Sequence, residues 1–257
     1  MKKRAVVLML VPVAWALGSC TGGRVIDAMT PAPGIGIGEQ LTGEGLLSAE
    51  VIYSRNPIIA RYDRFEGGSS TPSRDAGEIQ VFGDDETWMI ERYRIPRDES
   101  ESPVLERRVL LAEGGDGSVL LRESTGGGRN LTTTFDPPVR LAAPLMREGE
   151  SFEGSFKPLV RDASGDRNDN GDGSSKVTYL GRQRIETPMG EFDADLMMTE
   201  LTFDFGPVKI KRTARQWIAL VEPGRPMIVA EDITERQTVF GFATTDRTRL
   251  AIRSLVR

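Results

Sequence analysis

Histidine is absent from all 257 residues, and cysteine occurs once, at Cys20. Without imidazole there is no Ser-His-Asp or Cys-His catalysis, no histidine proton shuttle and none of the common zinc sites. A lone cysteine closes no intrachain disulfide, so a hydrophobic core has to carry the stability. The G-x-S-x-G elbow, the S-x-x-K pair and the G-x-x-x-x-G-K-[ST] phosphate loop are missing as well. No apolar run reaches the roughly 20 residues of a membrane-spanning helix. The longest, Ala5 to Leu17, is 13 residues and contains Pro12, which disfavours a helical span.

What is present at the start is ordered. Lys2, Lys3 and Arg4 precede the apolar run, and small residues Gly18 and Ser19 precede Cys20. This is the layout of a secretory signal, assigned to residues 1–19. Leu17-Gly18-Ser19-Cys20 resembles the bacterial lipobox, a resemblance confined to the first 20 residues. It implies that Cys20 is acylated and becomes the mature N-terminus, which also accounts for an otherwise odd thiol. The expected location is the cell envelope, held at a membrane through the lipid anchor. In a diderm host, Thr21 after the cysteine resembles an outer-membrane address, facing the periplasm.

Removing residues 1–19 takes away three cations and no acid, leaving 30 basic against 38 acidic residues and a formal charge of −8. That balance argues against a nucleic-acid partner, which would favour a basic face, and against a polybasic membrane-binding surface. Residues 20–45 hold many glycines and little apolar periodicity, and read as a lipidated N-terminus with a flexible tether. Gly34-Ile35-Gly36-Ile37-Gly38 superficially resembles a nucleotide loop, but Glu39 stands where a glycine is required.

Residues 46–257 read as one β-rich domain. Strands are expected at 46–53, 87–95, 104–112, 118–123 and 131–135, with Glu113 to Gly117 as a hairpin turn and loops at 66–79 and 96–103. Farther on, period-2 alternation runs through 177–187 and 191–198. Its phase flips after Met198, which predicts a bulge or a change of buried face. Gly206-Pro207 and Glu222 to Arg225 are turns, and strands continue to 256. The fold class is therefore mainly β: an antiparallel meander forming a strongly curved sheet, as a half-barrel or a sandwich.

Thr187-Pro188-Met189-Gly190-Glu191-Phe192-Asp193-Ala194, with Gly181 and Ile185 before it, is similar to a G-x-x-x-V-x-T-P-x-G-x-F-x-A hairpin of uncharacterised secreted or lipid-anchored bacterial β-proteins. Over about residues 144–235 that resemblance implies a β-fold and no established activity. The turn residues and an inward Phe192 also explain the hairpin by themselves.

Two constellations bear on chemistry. Asp166, Asn168, Asn170 and Asp172 fit D-x-[DN]-x-[DN]-G, the opening of a calcium loop. Val177 stands where the bidentate glutamate belongs, so this is no EF-hand, and a polar turn is the competing reading. Among carboxylates, Asp193, Asp195, Asp204, Glu231 and Asp232 are candidates for acid–base work, against the reading that they are solvent-face charges. Asp193 and Asp195 share a strand face about 6–7 Å apart. Trp88, Tyr93, Phe203, Phe205 and Trp217 are candidates for a cleft or for core. The expectation is a lipid-anchored envelope protein whose non-catalytic domain binds an unknown envelope protein or ligand. The alternatives are a carboxylate-dependent hydrolase of cell-wall or polysaccharide substrates, and a carrier of an apolar molecule.

Overall fold

The computed structural model describes residues 34–41, 45–52, 56–83, 86–98, 100–126, 131–162, 164 and 169–256. The signal segment, Cys20, Asp166 and Asn168 lie outside the described residues. The strands are β1 (Gly36–Gln40), β2 (Leu46–Ser48), β3 (Ile58–Glu66), β4 (Ala76–Gly83), β5 (Thr87–Ile95), β6 (Val104–Glu113), β7 (Val119–Gly126) and β8 (Leu131–Ala142). They continue as β9 (Leu145–Arg147), β10 (Ser151–Arg161), β11 (Asp169–Asn170), β12 (Asp172–Thr187), β13 (Gly190–Asp204), β14 (Val208–Glu222), β15 (Arg225–Val239) and β16 (Phe242–Leu255). The expected first strand at 46–53 is shorter than its apolar run: β2 gives way to a single 3₁₀ turn at Ala49–Val51. The period-2 reading did not name β3, β4 or β10, and part of β4 falls in the stretch read as a loop.

Fourteen strands form one antiparallel sheet in the order β1-β12-β13-β14-β15-β16-β3-β4-β5-β6-β7-β8-β10-β11. It is a meander twice over, β3 to β8 and β12 to β16, joined where β16 pairs with β3. β10 closes the ring. Its Lys157–Arg161 half pairs with β8 and its Ser151–Phe156 half pairs with β12. The sheet therefore curls back on itself without becoming a regular barrel. Closure leaves few open edges, which suits a protein built almost wholly of strands.

The same edge of β12 takes β10 at its start and β1 at its end. Between them Tyr179 bonds through its amide to the Glu150 carbonyl and through its carbonyl to the Gly149 amide. The small β2–β9 sheet lies here, and its Leu47 and Met146 are fully buried.

The tether ends earlier than its composition suggests. Gly36–Gln40 pairs with β12, and Ile35 is buried in the core. Gly34 has φ +79°, and a Cβ there would lie 2.2 Å from the Phe65 ring. Glycines that read as flexibility are used here for close approach.

β12 carries a bulge between Tyr179 and Gly181, opposite Met197 and Leu196 of β13. On a regular strand Ala194 and Met197 would face opposite ways, yet both are buried. Val177, Tyr179 and Met197 are buried on one side of the bulge; Ile185 and Ala194 are buried beyond it. The hairpin exchanges its buried face, as the phase flip implies, but at Leu196–Met197 rather than after Met198. One hydrophobic cluster runs through both halves, from Leu111 and Val119 to Trp217 and Ala251.

Candidate functional site

A cleft of about 640 Å³ opens over the β12–β13–β14 surface, lined by Val51, Arg182, Arg184, Asp193, Asp195 and Leu220 among others. Its charges follow from hairpin arithmetic. With Thr187 opposite Gly190, Arg184 stands across from Asp193 and Arg182 across from Asp195. The R-x-R and D-x-D pairs thus meet on one face. Arg184 Nε donates to Asp193 Oδ1 at 3.0 Å, and Arg182 Nε lies 3.7 Å from Asp195 Oδ1. β14 adds Ile218 opposite Asp195. Leu220, 57% exposed, gives the cleft an apolar flank.

Asp193 and Asp195, singled out from the sequence, are thus brought to one cleft in different surroundings. Asp193 is half exposed in its ion pair; Asp195 is only 19% exposed. The Tyr179 hydroxyl donates to Asp195 Oδ1 at 2.6 Å. Burial pushes the Asp195 carboxyl up, and the Tyr179 bond and Arg182 oppose that without cancelling it. Burial and the same bond push the Tyr179 phenol up, so it stays a donor. Tyr179→Phe is therefore expected to raise the Asp195 carboxyl further, and to cost about 1–3 kcal/mol. The sign follows: a carboxyl held above its unfolded value binds its proton more tightly when folded. Its ionisation then costs stability as pH rises through that range. A carbon-13 NMR titration of Asp195 that does not move upward in Tyr179→Phe contradicts this account.

The other candidate acids go elsewhere. Asp204 caps the β13–β14 turn, paired with Lys209 at 2.8 Å and accepting from the Gly206 amide. Those contacts, the Lys209 bond foremost, hold its carboxyl below the ordinary range. Glu231 and Asp232 are not solvent-face charges. Glu231, 1% exposed, receives both terminal nitrogens of Arg92 and the Gln216 amide at 2.7 Å. Arg212 lies in the same network, beside Glu231 and Glu235. Asp232, buried on the next position, takes a two-point contact from Arg247. Sequence alternation failed here because the arginines that meet these acids, Arg92, Arg212 and Arg247, arrive from β5, β14 and β16, strands distant in the chain.

The aromatic candidates are mainly core. Trp88 and Trp217 are buried. Phe203 packs edge-on to Phe156 at 5.6 Å and stacks with Phe205 at 6.3 Å. Tyr93 donates its hydroxyl to Glu91 Oε2 at 2.6 Å.

Of the four calcium-loop residues, only Asn170 and Asp172 fall among the described ones. Asn170 sits on β11 opposite Leu159, and the Asp172 carboxylate takes Lys157. Among the described residues no group of three or more acidic, histidine or cysteine side chains converges. The two glycines of the motif have a packing role: a Cβ at Gly171 would meet the Asp204 carbonyl at 2.6 Å, and one at Gly173 the Phe156 ring at 2.1 Å. The sequence reading missed Arg182 and Arg184 in the cleft and the buried Tyr179 that bonds Asp195; counting outward from the Pro188-Met189 turn would have found the arginines. Comparison with protein-family models, with curated proteins and with solved structures gives no match, so the reading of function rests on the cleft and on the N-terminal sequence.

Proposed function

We propose that this chain is a lipid-anchored envelope protein whose β-domain is a binding module, with the β12–β14 cleft as its ligand site. The observation that carries this reading is the pairing inside the cleft. Arg184 holds Asp193, and Tyr179 with Arg182 holds Asp195. Charges fixed in pairs beside Ile218 and Leu220 offer directional polar contacts next to an apolar flank, the usual make-up of a small-ligand site. The ligand class that matches is a small molecule or chain end bearing both charges or many hydroxyls. Lipidation of Cys20 supplies the address.

Carboxylate-dependent hydrolysis is the second reading. It is favoured by two acids in one cleft whose surroundings differ, since acid and base roles need unequal environments. A carrier role would require room for an apolar cargo, and the ring interior holds packed side chains such as Ile79, Leu111, Val177 and Tyr179.

One set of variants tests these readings. Cys20→Ala is expected to abolish incorporation of a clickable fatty acid in cells; equal labelling of wild type and variant refutes the anchor. Glycan and peptidoglycan fragments are expected to be bound without turnover. Turnover that disappears in Asp193→Asn or Asp195→Asn establishes the hydrolase reading instead.

A further inference from the structure

The hairpin joining β15 to β16 ends in Val239-Phe240-Gly241-Phe242. Phe240 is 67% exposed and Phe242 81%, the two most exposed large apolar side chains among the described residues. Phe240 also has φ +49°, a backbone conformation that a bulky residue rarely adopts. A Gly or Asn would sit there without strain, and a polar residue at either site would spare water the contact. The hairpin also extends past β3, level with the β13–β14 turn. β16 pairs with β3 only from Thr248 onward, so Phe242 stands about 20 Å beyond that partner.

The charge pattern is that of a lipid-facing tip. Gln237 to Thr245 carries no charge, and the adjoining turn Phe205-Gly206-Pro207-Val208 carries none. The two turns touch through the Phe240 amide and the Pro207 carbonyl at 3.0 Å. Immediately behind them come Lys209 opposite Thr238 and Lys211 opposite Arg236, with Asp204, Glu235 and Asp246 at the same level. Both lysines are more than half exposed, although they also reach Asp204 and Glu200. Aromatic rings ahead of long flexible cations are the order in which a membrane interface presents itself, acyl boundary first and phosphates next.

The tether bounds the anchor's reach. The described chain begins at Gly34 against the Phe65 ring, and Phe65 pairs with Arg249 at the base of this hairpin. Thirteen residues lie between Cys20 and Gly34, so the connection spans at most about 50 Å.

We infer that the Phe240–Phe242 tip inserts into the interface of a phospholipid bilayer, as a second contact beside the acyl anchor. The inference rests on the envelope-lipoprotein reading for its setting, but its test does not depend on acylation. The probe is the whole mature chain, residues 20–257 with Cys20→Ser, floated with vesicles of phosphatidylcholine and phosphatidylglycerol. The unlipidated chain is expected to float. The double variant Phe240→Asn, Phe242→Ser is expected to partition roughly tenfold less for each ring removed, with a melting temperature no lower than the parent's, because neither ring is buried and Asn suits the positive φ at 240. Phe242→Trp is expected to keep binding and to be quenched by brominated acyl chains. Absence of flotation, or equal flotation of parent and double variant, overturns the inference. So does a dimer in sedimentation velocity that the double variant dissolves, which would make a second copy the occupant. Failure of fatty-acid labelling at Cys20, by contrast, would sink the anchor and leave this measurement standing.

Discussion

Glu231→Gln is expected to destabilise the domain by about 3–5 kcal/mol, because it leaves Arg92 and Arg212 as buried cations without their shared carboxylate. At the size of this domain, that corresponds to a fall in melting temperature of roughly 10 °C. The carboxylate is 1% exposed and bound by Arg92 through both terminal nitrogens and by Gln216. Burial alone would push the Glu231 carboxyl up; the Arg92 charge and its hydrogen bonds, with Arg212 and Gln216, bring it below the ordinary value. Burial, reinforced by the Arg92 charge, lowers the Arg212 guanidinium, so the carboxylate is the group that makes both arginines tolerable.

The pH dependence has a definite sign. A carboxyl lowered on folding contributes stability that is complete above its unfolded value, about 4.3 for glutamate, and is lost as pH falls through the folded one. Wild type should therefore lose stability on acidification below that range, and Glu231→Gln should lose correspondingly less. Urea denaturation at several pH values measures both. A Glu231→Gln variant within 1 kcal/mol of wild type at neutral pH would show that the network is not an interior one.

Trp217→Ala is expected to cost about 3–5 kcal/mol, the range for removing a large buried ring. Trp217 is 3% exposed, stands between Leu196 and Ala230 in register, and donates its indole N–H to Gln183 Oε1 at 3.0 Å. Its neighbour Gln216 faces the other way, toward Glu231. The substitution thus asks whether the second buried face, the one adopted beyond the β12 bulge, is core. A drop in the urea midpoint at constant slope is the expected readout. A cost near zero would mean that this face is open surface and that the exchange of faces does not occur.

The sequence alone determined the all-β class, the β5 strand from 87 to 95, and the turns at 113–117, 206–207 and 222–225, and it is the sole basis for the proposed signal and anchor around Cys20. These are local properties. Signal, alternation and turn chemistry are written in consecutive residues, and period-2 patterning cannot serve a helix. It also located the change of buried face to within two residues, because an extra residue in one strand shifts that strand's later side chains relative to its partner.

Tertiary structure decided the rest, for reasons of distance along the chain. Closure of the ring by β10 depends on two partners, one on each edge, and nothing local to 151–161 announces both. Gly34–Gln40 reads as a tether by composition, but becomes a strand because β12 offers an edge and Phe65 needs a neighbour with no Cβ. Glu231 and Asp232 are adjacent on β15 and so face opposite sides of the sheet. They are buried because Arg92 and Arg247 reach them from β5 and β16, and a charge is tolerated inside only where such a partner arrives.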